Sequence, residues 1–272
     1  MVHETARRAR RELRRLARRT GLHRLVLPRR TDVCCCGLSK TGTHSMAGLF
    51  ADFRGGHHPD SDYMLDLAMD FLGESKSEDE IVPLLHRRDR RLWLEIESSN
   101  LCGILIRPLL RACPDKRFVI TIRDVFGWFN SWMDHNLNSP PQPSSKFHQL
   151  DRIRLRGSDF PHTPHDRPLK DRRMDSLEAH FAMWARHYGE VLAAIPEDRR
   201  LIVKTADILS RTEDIASFSG VPPALLRLDL GWQNAASVKH DVLSEFDREF
   251  VRDVAERHCR TLMDRHFANV SY

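Results

Sequence analysis

An α/β fold, a three-layer parallel sheet flanked by helices, is predicted by three observations. Short apolar runs near 32–36, 92–97, 118–122 and 201–204 alternate with helix-compatible text. The runs at 32–36 and 118–122 are short and predominantly apolar, as strands covered on both faces require. Three of the four runs end in conspicuous polar residues: Ser39-Lys40, Glu97 and Arg123. Ligands in such folds bind beyond the carboxyl ends of the strands.

Taken in order, residues 3–20 are helix-compatible, with Gly21 as a C-cap. Thr31 to Cys36 reads as a buried strand ending at Gly37, and a helix begins near Thr43. Gly55-Gly56-His57-His58-Pro59 reads as the turn that stops it. Tyr63 to Leu72 is amphipathic, and a second helix is expected near 78–87. Leu92 to Glu97 alternates as a strand, and Cys102 to Ala112 reads as a helix despite Pro108. Phe118 to Ile122 is a β-branched strand followed by a helix over Trp128 to Leu137. Residues 138–175, rich in Pro and His and without periodicity, are expected to form a long variable loop. A helix over 176–195, a strand at Leu201 to Lys204 and a long helix over 241–267 complete the chain.

The 272 residues, 41% hydrophobic and 30% charged, fit a soluble globular protein and exclude a disordered or fibrous one. No apolar run approaches the roughly 18 residues of a membrane span. No apolar stretch follows the basic N-terminus as a secretory signal would require. Residues 1–30 hold eleven Arg against Glu4 and Glu12, a net of +9, while the whole chain is +5. Residues 31–272 therefore sum to −4, which argues against nucleic acid as a partner of the whole protein. The expected organisation is an Arg-rich arm over 1–30 and one domain over 31–272. The six cysteines, Cys34, Cys35, Cys36, Cys102, Cys113 and Cys259, form no C-x-x-C pair. Three of them alternate along one strand and cannot converge on a metal, so buried reduced thiols and a cytoplasmic setting are expected.

Gly37-Leu38-Ser39-Lys40-Thr41-Gly42-Thr43-His44-Ser45 lies between a predicted strand and a predicted helix. Such a turn presents several backbone N–H groups and suits a phosphate or sulfate. The two glycines have Walker A spacing, but Thr43-His44 follows where Lys-Ser/Thr would stand, and the lysine lies inside the loop as Lys40. Arg123 follows a buried strand, and Ser131 lies eight residues later in the next helix. A helix starting near Val125 or Phe126 would carry Ser131 back over the strand end, where guanidinium and hydroxyl grip one phosphate.

The first motif resembles the 5′-phosphosulfate loop of sulfotransferases that use 3′-phosphoadenylyl sulfate (PAPS), with Ser39 in place of a usual Pro and His44 in place of a common Thr. The second resembles their 3′-phosphate motif, a strand, Arg-Asp-Pro and a Ser eight residues after the Arg, with Val125 at the Pro. Weaker similarities run through Trp184 to His187, Leu201 to Leu209 and Phe218 to Pro222, so the resemblance covers roughly 31–270. It implies a P-loop NTPase-like sulfotransferase fold and PAPS as donor cosubstrate, with no metal. It implies that Ser39, Lys40, Thr41, Gly42, Thr43, His44, Ser45, Arg123 and Ser131 bind the donor, with Lys40 on the leaving oxygen.

Sulfuryl transfer also needs a base for the acceptor proton. Leu92 to Leu101 resembles the Glu-Lys-Ser segment of carbohydrate sulfotransferases, which implies Glu97 as that base. Glu95 shares its strand face farther from the carboxyl end, and His57, His58, His135 and His148 are further candidates. A kinase or NTPase lacks its Walker lysine here, and the third reading is a non-enzymatic anion-binding module acting through the arm. The acceptor is left open as a small molecule, a glycan or a lipid-linked group. Leu13, Leu16 and Ala17, flanked by arginines, raise the expectation of a peripheral contact with an anionic membrane surface. Arg supplies 36 of the 43 basic residues, which points to a GC-rich, bacterial gene.

Overall fold

The structure is a computed structural model and describes residues 27–231 and 238–271. Five parallel strands lie in the order β2-β3-β1-β4-β5. β1 (Val33–Cys35) sits at the centre, paired with β3 (Ile96–Ser98) on one side and β4 (Arg117–Ile122) on the other. β2 (Gly55–His57) and β5 (Arg200–Lys204) form the edges. Side-chain alternation divides the core between the two faces. Cys34, Cys36, Phe118, Ile120 and Ile122 meet one helical layer, while Val33, Cys35, Ile96, Val119 and Val203 meet the other. All six cysteines are buried and free.

β2 corrects the sequence reading, which took Gly55 to Pro59 as a turn. Gly55 and Gly56 carry no side-chain pattern, yet they run beside β3 with φ of 135° and 145°. A Cβ on Gly55 would lie 1.7 Å from the Ile96 carbonyl oxygen, so only glycine permits this approach. The strand expected at 92–97 starts later. The preceding helix begins with a Ser77–Glu80 capping box and runs over Glu78–Leu92, and Trp93 closes it in a left-handed conformation. The helix expected over 102–112 is two pieces, Asn100–Ile104 and Ile106–Ala112. Pro108 falls in the first turn of the second piece, where backbone N–H groups lack intrahelical partners.

The segment 138–175 is likewise corrected. It contains a helix over Lys146–Leu155, capped by Ser145, and a short helical stretch at Arg167–Lys170. Three prolines precede that helix and mask its signal, and Leu150 and Leu155 supply its buried face. The final helix covers Arg248–Phe267 behind an Asp247 cap, shorter than expected, and Thr212–Ser219 adds a helix that the sequence reading left unassigned. Among the described residues no helix is long and apolar enough to cross a membrane.

Residues 1–26, with most of the Arg-rich arm and the membrane expectation attached to it, lie outside the described residues. The end of that arm belongs to the domain. Arg29 pairs with Asp32 and Asp89, at 2.7 and 2.6 Å, and Arg30 with Glu95 at 2.8 Å. Glu95 is fully buried just before β3 and also accepts from the Arg54 backbone N–H at 2.8 Å. Burial pushes its carboxyl up, but the hydrogen bonds from Arg30 and Arg54 outweigh this and hold it down to about 2, from an ordinary 4.5. Because the folded value is depressed, the stabilisation is complete above about pH 4.5 and is lost as the pH falls toward 2. Glu95→Gln is expected to cost about 3 kcal/mol at pH 7 by leaving Arg54 and Arg30 half-paired. It should also flatten the acid limb between pH 5 and 2, as measured by chemical denaturation across that range.

Candidate active site

The loop between β1 and the helix Thr43–Leu49 is shaped by close approach and by tied carbonyls. A Cβ on Gly37 would lie 2.0 Å from Thr121 Oγ1, so only glycine lets the end of β1 pass β4. Lys40 and Gly42 have φ of 70° and 97°, which turns the chain back on itself. Four loop carbonyls are held by donors from the body of the protein or the loop itself. Leu38 O accepts from Thr41 Oγ1 at 2.7 Å and Ser39 O from Trp128 Nε1 at 3.0 Å. Thr41 O accepts from Thr205 Oγ1 at 2.9 Å, and Thr43 O from Ser98 Oγ at 2.6 Å. The helix that follows has no side-chain cap and no acidic residue in its first turn. An amino end without a competing acceptor or carboxylate is electropositive and suits an anion.

Thr41 is fully buried and spends its hydroxyl inside the loop, on Leu38 O and beside Thr121 Oγ1 at 3.1 Å. Its contribution is shape. Thr43 is buried with Oγ1 at 3.2 Å from His57 Nε2, Ser45 is buried, and His44 is exposed. Ser39 and Lys40 are half-buried. Burial first, and then the neighbouring Arg123, lower the Lys40 pKa, with Asp134 opposing them.

That coupling brings together the two sequence motifs, roughly 80 residues apart in the chain. Arg123 stands at the end of β4, directly beside β1, and its carbonyl accepts from Trp184 Nε1 at 3.1 Å. Among the described residues its guanidinium makes no ion pair or hydrogen bond. Asp124 caps the next helix, Val125–Asn138, through Gly127 N at 2.7 Å, and this helix carries Ser131, half-buried, and His135.

The carboxylates are placed differently. Glu97 is 3% exposed, and both of its oxygens accept from Arg88, at 2.7 and 2.9 Å. Arg88 is itself buried and also donates to the Pro59 carbonyl at 2.6 Å. Glu95 is bound by Arg30 and Arg54 before β3 begins.

Imidazoles occupy the space beside the loop. His44 stacks on His57 with centroids 3.4 Å apart, and His57 meets His58 at 4.0 Å. His58 Nδ1 lies 2.7 Å from Ser99 Oγ, and the His58 ring meets Phe147 edge-on at 5.2 Å. Burial, followed by the charge of His58, pushes His57 down to about 3. Burial and then His44 push His58 down to about 4, with Glu97 opposing. Burial and Lys40 lower both His44 and His135. His148, a further candidate base, lines a separate cavity.

Sequence reasoning missed Arg88, Trp128, Trp184, Thr205 and Phe147. Arg88 is one of several arginines in a run, and nothing local marks it as the partner of Glu97. Trp128 and Trp184 are core residues as well, and nothing local marks their indole N–H groups as partners of Ser39 and Arg123. Phe147 lay in text read as loop.

Residues 32–225 match a protein family described as sulfotransferase domain, and the chain belongs to that family of transferases. Among solved structures, a sulfotransferase from Alicyclobacillus acidocaldarius is similar in fold. It has a TM-score of 0.50 and 15% identity, and covers 88% of this chain and 98% of that chain. No curated protein matches the sequence.

The depressed pKa values make the imidazole stack testable. At pH 6, where a free histidine is largely protonated, His57 and His58 are expected to be neutral in nitrogen NMR spectra. Their charging should be seen only as the pH falls toward 4 and below. Ordinary titration of both rings near 6.5 would contradict the burial that the structure gives them.

Proposed function

We propose that this sulfotransferase moves the sulfuryl group of PAPS to a hydroxyl or amine of its acceptor. The observation that carries the reading is the pairing of two anion-binding elements at the ends of adjacent parallel strands. One is the loop with its carbonyls tied back, and the other is Arg123 at the end of β4, whose guanidinium has no partner among the described residues. On this reading the loop amides hold the 5′-phosphosulfate, and Arg123 with Ser131 holds the 3′-phosphate. The donor supplies an activated S–O bond. As it breaks, charge grows on the bridging oxygen that leaves with the 5′-phosphate, and the Lys40 ammonium meets that charge.

The acceptor proton needs a group with an available lone pair. Glu97 was the expectation, but both its oxygens are engaged by a buried guanidinium. In this proposal Glu97 and Arg88 form a structural pair, and His58 takes the proton while Ser99 orients its ring. Burial keeps His58 neutral in the free protein. The negative charge of a bound donor would raise its basicity toward the range useful for proton transfer.

Lys40→Ala should lower kcat by a factor equivalent to about 2.7–4 kcal/mol while leaving donor affinity nearly unchanged, because the contact grows in the transition state. Single-turnover assays with labelled PAPS measure this, and an undiminished kcat would remove Lys40 from the chemistry.

Arg123→Ala should weaken adenosine 3′,5′-bisphosphate (PAP) by about 1.5–3 kcal/mol in calorimetry. Its affinity for adenosine 5′-phosphate should change little. Equal loss for both nucleotides would put the 3′-phosphate elsewhere.

His58→Ala should cost roughly 10²–10⁴ in kcat with PAP binding retained. A fully active His58→Ala protein beside a folded but inactive Glu97→Gln protein would return the base to the carboxylate.

A further inference from the structure

Three histidines from two elements form one column that starts in the loop. His44 is the second residue of the helix Thr43–Leu49, His57 ends β2, and His58 follows it. The His44 and His57 rings are stacked, with centroids 3.4 Å apart and planes 29° from parallel. His58 stands edge-on to His57 at 4.0 Å. The two inner rings have hydroxyl partners, Thr43 Oγ1 at His57 Nε2 and Ser99 Oγ at His58 Nδ1. His44 is exposed, and among the described residues its ring nitrogens make no hydrogen bond.

The charges around the column differ between its two ends. Burial, then Lys40 from the loop and His135 from the helix Val125–Asn138, hold the His44 pKa down. Arg123 and Asp134 act on Lys40 with opposite sign. At the other end, Glu97 favours a charge on His58, but Arg88 engages both Glu97 oxygens. Asp60, two residues after His58, is paired with Arg88 and Arg91. The helix Lys146–Leu155 sets Phe147 against His58, and its Lys146 is paired with Asp66. In the free protein, then, cations gather at the His44 end, and among the described residues no carboxylate faces that ring. An anion in the loop would reverse the field there, with an effect that weakens along the column. Neighbouring rings at these separations repel strongly when both are charged, so the column titrates as a unit and one ring takes the first proton. His44, in the loop itself, is the ring that a bound anion reaches first.

We propose that His44 is a ligand-switched cation: neutral in the free protein, it takes up a proton when an anion fills the loop, while His58 at the far end of the column stays neutral. The proposal rests on the sulfotransfer reading above, with the donor's 5′-phosphosulfate as the anion. During transfer the acceptor oxygen bonds the sulfur, the bond from sulfur to the bridging oxygen breaks, and the acceptor proton passes to His58. The His44 proton stays on its ring, which meets the growing phosphate charge beside Lys40. Neutral His57 separates the two imidazolium rings. Departure of PAP removes the anion, and His44 then releases its proton.

The test uses the full chain with PAP as probe. Calorimetry at pH 7, repeated in PIPES, HEPES and Tris, measures the protons exchanged on binding. PAP phosphates lose protons of their own, so the parent is compared with His44→Asn. The parent should take up more, by roughly half a proton to one proton per PAP. Nitrogen NMR at the same pH should show His44 neutral without PAP and imidazolium with it, and His58 neutral in both. Equal proton exchange by the parent and His44→Asn, a neutral His44 in the complex, or a charged His58 there overturns the proposal. If His44→Asn binds PAP too weakly for calorimetry, the spectrum of the parent decides. The two readings fail separately. PAP binding with His44 neutral keeps the donor assignment and sinks the switch. No PAP binding by the parent sinks the donor assignment, and the same His44 response to inorganic sulfate then keeps the switch.

Discussion

The site depends on where the carbonyl oxygens of one short loop are tied. A backbone turn offers donors and acceptors together, and it attracts an anion only when the acceptors are occupied elsewhere. Here Trp128 holds Ser39 O, Thr205 holds Thr41 O, and Ser98 holds Thr43 O. These donors come from the helix after β4, the turn after β5 and the end of β3. The loop is therefore fastened to several parts of the carboxyl edge of the sheet. Gly37 lets β1 end close against Thr121 of β4, and that same Thr121 presents its carbonyl to the Tyr188 hydroxyl at 2.9 Å.

Around this loop the charge is segregated. Lys40 and Arg123 lie near each other at the strand ends, at a cost that burial increases and that a bound anion would offset. The carboxylates nearest the sheet are each neutralised by arginines from outside the loop, Glu97 by Arg88 and Glu95 by Arg30 and Arg54. Burial and mutual proximity keep the imidazole stack uncharged. The result places two cations beside a stack of neutral imidazoles, with Glu95 and Glu97 locked in ion pairs. Those pairs also bind β3 to the helix before it and to the residues that precede β1.

The covering segment 138–175 joins this arrangement through Phe147, which meets the His58 ring. It anchors to the body by Lys146 with Asp66 at 2.6 Å and by Arg172 with Glu245. These contacts are exposed and individually weak, as suits a segment that shapes one side of a site without building the core.

The α/β class, the central strands and the loop and arginine at the ends of two of them were legible in the sequence because each has a local signature. Apolar runs mark doubly covered strands, and a glycine-spaced loop before a helix marks a backbone turn. An Arg followed by a Ser eight residues later is a fixed helical offset. Strand β2 was not legible, because two glycines carry no pattern and pair only where β3 offers them a ladder. The helix at 146–155 was hidden by its flanking prolines and sparse apolar face. The choice among Glu97 and the histidines was beyond the sequence as well. Whether a carboxylate is free or bound is set by which distant side chain reaches it. Arg88, nine residues away along the chain, reaches Glu97 because the helix Glu78–Leu92 folds back beside β3. By itself, then, the sequence determined the central strands, the loop and the residues that flank it. Tertiary packing decided which of those residues keep a free polar atom, since that depends on partners brought close only by the fold.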